Sequence, residues 1–192
     1  MSARERILDA AAEVMRARGA AGATTKEIAR AAGYSEALLY KHFRDKEELL
    51  LRVLHERMPA FQGAAAGEGE VAANLAVLTH RALNFYLRAF PMMASMAARP
   101  RLMATTRDAL AKYGSGPQLV PVAVAGYLRD EQRLGRVGAA ADPDAVAALL
   151  MGACFQQGFL RYFADGPDGP DIPESEALPL LAPLLPHLDL DP

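Results

Sequence analysis

Apolar residues recur along this chain at the three- and four-residue spacing of amphipathic α-helices. The first segment, over about residues 3–18, places Ile7, Leu8, Ala11 and Met15 on one face. The alternation of apolar and polar residues that is typical of a half-buried strand does not persist beyond a few positions. The pattern therefore predicts an all-α protein.

Two short helices follow the first one, with a tight turn between them. Thr24 or Thr25 is the predicted N-cap of a helix over about residues 25–32, and Gly33 ends that helix. Ser35 then caps a helix that extends to about residue 42. Two helices at this separation form a helix-turn-helix, in which the second helix can enter the major groove of DNA.

Asp45 is the predicted N-cap of a fourth helix, which extends to about Pro59, and a glycine-rich stretch follows it. This stretch, FQGAAAGEGE at residues 61–70, lacks a strong apolar period and is the predicted domain boundary. We therefore predict a DNA-binding domain over residues 1–60 and a larger helical domain over residues 61–192.

The larger predicted domain contains the longest apolar pattern in the chain. Residues 71–90 have two apolar faces and a narrow polar stripe, as expected of a helix at the centre of a domain. Pro91 and Pro100 are predicted to divide off two shorter helices, because proline interrupts the backbone hydrogen bonds of a helix. The remaining predicted helices cover about residues 91–98, 101–112, 118–134 and 143–163, with one kinked helix near residues 174–188.

Composition and charge narrow the class of protein. No uninterrupted apolar run approaches the roughly 18 residues of a membrane span. The N-terminus is unlike a signal peptide, so we expect a soluble protein of the cytoplasm. Residues 1–57 contain 11 Lys and Arg against 9 Asp and Glu, a net charge of +2, and residues 58–192 contain 10 against 14, a net charge of −4. This asymmetry is expected if only the first part binds a polyanion.

The residues around the helix-turn-helix resemble a known family. The stretch TTKEIARAAGYSEALLYKHFRDKEELL, residues 24–50, is similar to the DNA-binding signature of the TetR family of bacterial transcriptional regulators. The resemblance implies an all-α homodimer of about nine helices per subunit, whose first three helices bind DNA and whose other helices bind a ligand and the partner. It implies phosphate contacts from Thr25, Ser35, Tyr40, His42 and Lys46, and positions near base edges for Glu36, Ala37, Leu38 and Lys41.

The chemistry of these side chains agrees with that assignment. Hydroxyls, helix N-terminal amides and a lysine suit phosphate oxygens. Lys41 can donate to guanine, and Ala37 or Leu38 can contact a thymine methyl group. Two interpretations of Glu36 stay open: its carboxylate accepts from a cytosine amino group, or it complements the helix dipole and faces solvent.

Aromatic and thioether side chains concentrate between residues 85 and 113. Such side chains adapt to irregular apolar shapes and also form ordinary cores. Together with the family resemblance, they predict a cavity for a hydrophobic or amphipathic small molecule, with polar contacts from His80 and Asn84. The predicted ligand-binding residues are His80, Asn84, Phe85, Tyr86, Met92, Met96, Met103, Tyr113 and Gln156.

Sequence patterns for catalysis are absent. The four histidines show no metal-ligand spacing, and HExxH, GxSxG and glycine-rich phosphate loops do not occur. The single cysteine, Cys154, cannot form an intramolecular disulfide and is interpreted as a small buried hydrophobe. We therefore predict no enzyme activity, no cofactor and no metal site.

These observations favour a ligand-responsive repressor that is released from a palindromic operator by a small molecule. Two alternatives stay open: a helical interaction module whose helix-turn-helix no longer reads DNA, and an activator or ligand-independent regulator. A four-helix dimer interface is expected from the helices near residues 118–134 and 143–163. Their small and apolar residues are Gly126, Gly152, Ala153, Gly158, Val124, Leu128, Leu149, Leu150 and Leu160.

Overall fold

The computed structural model describes residues 1–57, 65–112 and 116–190. Within these ranges the chain forms nine α-helices and no β-strand, which confirms the all-α prediction. The α-helices are α1 (Ala3–Gly22), α2 (Thr25–Ala32), α3 (Glu36–His42), α4 (Lys46–Arg57), α5 (Val71–Ala97), α6 (Pro100–Lys112), α7 (Leu119–Arg133), α8 (Pro143–Asp165) and α9 (Ala177–Leu181). Two 3₁₀ helices, Glu174–Glu176 and Ala182–Leu188, flank α9, so the kinked helical segment predicted near residues 174–188 is confirmed.

The chain divides into two compact units. The first contains residues 1–59 and 89–116, and the second contains residues 60–88 and 117–192. Residues 89–116 were predicted to belong to the larger domain over residues 61–192, whereas the structure groups them with the N-terminal helices. The helix α5 supplies residues to both units.

The helices of the first unit share one apolar core. Helices as short as α2 and α3 are unstable alone in water, so they need this shared core. Each fully buried leucine, isoleucine or phenylalanine contributes about 1.5–3 kcal/mol. The core residues of α1 to α4 include Ile7, Leu8, Ala11, Met15, Ile28, Ala29, Ala32, Leu39, Leu49 and Val53, with Phe43 at the end of α3.

The helix α5 differs from the predicted boundaries. It was predicted to end ahead of Pro91, but it continues to Ala97 with Pro91 inside it. Proline removes a backbone donor and normally ends or kinks a helix. Leu87 is buried in the core of the second unit, and Met92 packs against the core of the first. Packing on both sides of the proline thus outweighs its local preference.

The core of the second unit contains three residues that the sequence assigned to a subunit interface. Val124, Leu128 and Leu150 are buried within the chain itself, so that assignment is wrong for them. Gly158 is also used internally, because an added Cβ would lie 2.8 Å from the backbone nitrogen of Leu87. Only glycine therefore allows α8 to approach α5 this closely.

The buried carboxylate of Glu131 connects the loop that precedes α5 with the end of α7. Glu131 is fully buried, and its Oε1 accepts from the N–H of Gly67 at 3.2 Å. Its Oε2 forms an ion pair with Nε of Arg136 at 3.3 Å, and Arg136 also donates to the carbonyl of Gly69. A buried charge without partners is strongly destabilising, so these contacts tie Gly67 and Gly69 to the end of α7.

Residues 166–176, GPDGPDIPESE, form an irregular strap that ends in the 3₁₀ helix Glu174–Glu176 and is held by α5 and α8. The Asn84 side chain bonds both backbone groups of Ile172: Nδ2 donates to its carbonyl at 3.0 Å, and Oδ1 accepts from its N–H at 2.9 Å. Nε2 of His80 lies 2.9 Å from the same carbonyl. Arg161 of α8 donates to Glu176 at 2.5 Å at the other end of the strap. Side chains of α5 thus bond the backbone N–H and carbonyl of Ile172, which neither a helix nor a sheet satisfies in this segment.

Replacement of Asn84 by alanine should release the strap. The N–H of Ile172 would lose its side-chain partner at a cost of about 1–3 kcal/mol, whereas its carbonyl keeps Nε2 of His80, so the free energy of unfolding should fall by that order. Cleavage at residues 166–176 by a protease specific for acidic residues should become faster. Asn74→Ala is the matched control, because Asn74 lies on the same helix but donates to Glu68 and Tyr127. Equal acceleration of cleavage in both variants would contradict this role of Asn84.

Candidate nucleic-acid interface

Gly33 sets the turn between α2 and α3. Its φ of 76° and ψ of 27° lie in the left-handed region, where a side chain would be strained. The N–H of Gly33 donates to Arg30 at 3.1 Å, and the N–H of Tyr34 donates to Ala29 at 2.8 Å. These two bonds satisfy the last carbonyls of α2 and fix the direction in which the chain enters α3.

The three N-caps predicted in this region are confirmed. Side-chain oxygens of Thr24, Ser35 and Asp45 accept from the N–H three residues later, at 3.2, 3.3 and 2.7 Å respectively. Each bond satisfies a donor that the helix itself cannot. The starts of α2, α3 and α4 are therefore determined locally by the sequence.

Two arginines of α1 contact aromatic rings of the helix-turn-helix. Arg6 stacks its guanidinium over the ring of Tyr34, 5.2 Å from the centroid, at the turn. Arg4 lies 5.6 Å from the ring centroid of Phe43, at the end of α3, and bonds both carboxylate oxygens of Glu56 at 2.8 and 2.6 Å. The hydrogen bond to Glu56 raises the pKa of Arg4. No local spacing links these partners, which explains why the sequence did not predict them.

The structure separates the two sides of α3. Leu39 and Phe43 are buried against α1, whereas Ala37, Tyr40, Lys41 and His42 are exposed. Glu36, Leu38 and Lys46 are half-buried, and Ser35 is exposed at the N-cap. The predicted DNA-binding residues on α3 are thus brought together on one short helix with a solvent-facing side.

Thr25 joins this set through hydrogen bonds. Its hydroxyl donates to Oε1 of Glu36 at 2.6 Å, and the hydroxyl of Tyr40 donates to Thr25 at 3.4 Å. Glu36 therefore has a contact that neither interpretation of the sequence included. Lys26 and Arg44 are exposed beside these residues and add positive charge, and no motif in the sequence distinguished them.

The predicted ligand-binding residues belong to different parts of the molecule. Met92, Met96 and Met103 fall in the first compact unit, and Tyr113 lies outside the described residues. The second unit contains His80, Asn84, Phe85, Tyr86 and Gln156. The polar atoms of His80 and Asn84 bind Ile172, as described above.

An aromatic cluster remains in the second unit. The ring of Tyr86 makes edge-to-face contacts with Phe85 and Phe155, at centroid distances of 5.3 and 5.5 Å. Burial raises the pKa of Tyr86 to about 12. Phe155 and Phe159, one turn apart on α8, leave large parts of their rings exposed. Neither residue was predicted as part of the site, although the two lie four residues apart on a predicted helix.

Catalytic and metal chemistry find little support in the described ranges. No group of three His, Cys, Asp or Glu side chains among the described residues could hold a metal ion. Cys154 is fully buried, and burial raises the pKa of its thiol to about 12, which disfavours the nucleophilic thiolate. No described helix is long and apolar enough to cross a membrane.

The first three helices form a helix-turn-helix unit, and the exposed side of α3 is of the kind that enters a DNA major groove. Residues 7–53 match the sequence profile of the bacterial regulatory proteins of the tetR family. Over 54 residues the chain is 48% identical to the HTH-type transcriptional regulator SrpR of Pseudomonas putida. It is also 48% identical over 54 residues to the uncharacterized HTH-type transcriptional regulator TtgW, from a strain of the same species. These alignments cover 28% of this chain, 25% of SrpR and 40% of TtgW, so the chain matches less than half of either relative.

Solved structures are similar over nearly the whole chain. Salmonella enterica GusR has a TM-score of 0.63 at 20% identity, covering 97% of this chain and 95% of its own. A transcriptional regulator from Rhodococcus sp. Rha1 has a TM-score of 0.63 at 22% identity and covers 100% of both chains. FadR from Bacillus subtilis, in complex with stearoyl-CoA, has a TM-score of 0.62 at 17% identity, covering 94% and 96%. At these identities the likeness shows the fold.

Residues 7–53 of this chain thus match the TetR family of bacterial transcriptional regulators. Members of this family are regulators of transcription and not enzymes.

Proposed function

We propose that this regulator is a ligand-responsive repressor of the bacterial cytoplasm. In this proposal a homodimer binds a palindromic operator, and a hydrophobic or amphipathic small molecule releases it. The observation that carries DNA binding is the exposed side of α3, where Tyr40, Lys41 and His42 stand opposite the buried Leu39 and Phe43. A helix so oriented can present its outer side chains to a major groove.

The phosphate and base contacts are proposed from the same geometry. Thr25, Ser35, Tyr40, His42 and Lys46 lie at the ends and edges of α2, α3 and α4, where they suit the DNA backbone. The outer positions Ala37, Leu38 and Lys41, together with Glu36, are proposed to face base edges. A mobility shift with random-sequence duplex at low salt tests DNA binding itself. Absence of any shift would favour the alternative of an interaction module.

Lys46→Ala should weaken DNA binding about equally on every sequence. Loss of one phosphate contact should reduce the slope of log K against log salt by roughly one unit. Affinity should be measured by fluorescence anisotropy over a series of salt concentrations. Arg133→Ala, an exposed charge on α7 in the other compact unit, is the control and should leave the slope unchanged. An unaltered slope for Lys46→Ala would remove it from the phosphate-binding set.

The dimer is supported by apolar side chains that the single chain leaves exposed on α7 and α8. Val122, Leu149, Leu160 and Phe163 are exposed, with Phe163 at 80%. Apolar patches of this kind mark interaction surfaces in soluble proteins. Gly126 and Gly152 have open space where a Cβ would be, so they permit close approach of a second copy. The predicted interface residues that remain after the internal ones are removed are Leu149, Leu160, Gly126, Gly152 and Ala153. The exposed side chains of Val122 and Phe163 are added to them.

Leu160→Glu should dissociate the proposed dimer, because a carboxylate would be buried without a partner. Sedimentation velocity at micromolar concentration should show a dimer for the wild type and a monomer for the variant. Leu178→Glu is a matched control, since Leu178 on α9 is 45% exposed and Leu160 is 46% exposed. The control should remain dimeric. A wild-type monomer that still binds DNA specifically would contradict the dimer.

The ligand is proposed to bind beside the aromatic cluster of Phe85, Tyr86 and Phe155. Exposed aromatic surface next to the amide of Gln156 offers apolar contact and a polar group, as an amphipathic molecule requires. The Bacillus subtilis FadR structure supports the idea that this fold holds such a molecule, since stearoyl-CoA is amphipathic. His80 and Asn84 can join the site only if they release Ile172, and the roles of Met92, Met96, Met103 and Tyr113 stay predictions.

An inducer should bind the free protein more tightly than the DNA complex. Linkage requires that the ratio of the two affinities equals the factor by which DNA affinity falls, and typical couplings give about 5–150-fold. Fatty acids and acyl-CoA thioesters should first be screened for a rise in melting temperature. The affinity of each stabilising compound is then measured with and without the selected operator. Equal affinities for all of them would show that they do not regulate DNA binding.

A further inference from the structure

The exposed side of α3 contains a carboxylate where a DNA-binding surface is expected to be positive. Glu36 begins α3, and Tyr40 lies one turn further along the same helix. The hydroxyl of Thr25, at the start of α2, lies between them and bonds to both. Its 2.6 Å bond to Glu36 has the length of a charge-assisted O–H···O⁻ hydrogen bond.

Both hydroxyl protons in this chain of three side chains already take part in hydrogen bonds. A threonine hydroxyl has one proton, and Thr25 gives it to Glu36. Tyr40 directs its own proton to Thr25 over the longer distance of 3.4 Å. An ionised phosphate oxygen can only accept hydrogen bonds. Thr25 can therefore donate to a phosphate only if it releases Glu36, so DNA and Glu36 compete for the same proton.

Release of Thr25 leaves the Glu36 carboxylate in need of another donor. DNA displaces water from the groove side of α3, and an ionised group that loses its partners there is costly. In the major groove, the amino groups of cytosine and adenine donate, whereas guanine N7 and O6 and thymine O4 accept. The cost of release is therefore small where the carboxylate faces cytosine or adenine, and large where it faces guanine or thymine.

We propose that Glu36 is a specificity-determining residue that competes with DNA phosphate for the Thr25 hydroxyl proton. The hydrogen bond from Thr25 to Glu36 breaks at little cost only on duplexes that present a cytosine or adenine amino group to the Glu36 carboxylate. Glu36 thus acts mainly by weakening binding to all other sequences. The inference rests on the proposed DNA-binding function and adds to it the position at which discrimination arises.

Selection from a random-sequence duplex pool with the wild type and with Glu36→Gln tests this role. Glutamine has nearly the same shape and can still accept from Thr25, but it has no charge and gains a donor. The wild type should select cytosine or adenine at one position of the bound sequence. Glu36→Gln should no longer exclude guanine and thymine at that position, because its amide can also donate, and it should keep the rest of the motif. It should also bind unselected duplex about tenfold more tightly, which corresponds to about 1.4 kcal/mol.

Glu27→Gln is the matched control for net charge. Glu27 lies on α2 and likewise accepts from a threonine hydroxyl, that of Thr24 at 3.2 Å. It should leave the selected motif unchanged and tighten binding to unselected duplex far less than Glu36→Gln. Equal tightening by both variants, with the wild-type motif retained in both, would overturn the proposal in favour of a general charge effect.

Thr25→Val isolates the competition itself, because it removes the hydroxyl and keeps the branched shape. Binding should weaken on every duplex, and Glu36→Gln in this background should gain clearly less than tenfold on unselected duplex. Additive effects of the two substitutions would overturn the competition. A wild type that binds no duplex at low salt overturns the proposed function as well, whereas normal binding with identical motifs for wild type and Glu36→Gln overturns only the role of Glu36.

Discussion

The burial of Leu39 and Phe43 is the constraint on which the rest of the DNA-binding region depends. A seven-residue helix has no independent stability in water, so α3 exists only because its inner side is packed against α1. Side chains of a helix occupy fixed angular positions, and burial of one side therefore determines which residues face outward. Tyr40, Lys41 and His42 face solvent as a consequence of this packing.

Apolar burial alone would leave the angle of α3 loosely defined, since the hydrophobic effect has no direction. Contacts with a preferred direction define the angle of α3. Arg6 and Arg4 bind ring faces at the turn and at the end of α3, and Gly33 allows a backbone conformation that fixes the turn between α2 and α3. Because Arg4 also binds Glu56, the position of α3 is linked to that of α4 within the first compact unit.

Features with local causes were predictable from the sequence, and features with distant partners were not. Caps such as Thr24 and the end of α2 at Gly33 follow from neighbouring residues and were predicted correctly. Pro91 was misjudged, because packing on either side of it outweighs the local preference. The bond between Thr25 and Glu36 joins two helices, and that between Asn84 and Ile172 spans 88 residues, so no sequence spacing reveals either. The family resemblance supplied the role of α3 but no information about these contacts.

The pairing of Asn84 with Ile172 has a consequence for the colloidal behaviour of the protein. A carboxamide carries the same donor and acceptor as a peptide group. Asn84 therefore bonds both the N–H and the carbonyl of Ile172, as the backbone of an adjacent β-strand would. Extended segments with unused backbone groups can recruit extended segments of other molecules and begin aggregation. At Ile172 these groups are already engaged, and Pro170 and Pro173 nearby have no N–H to offer. Around Ile172 the strap is thus poorly suited to templating intermolecular sheets.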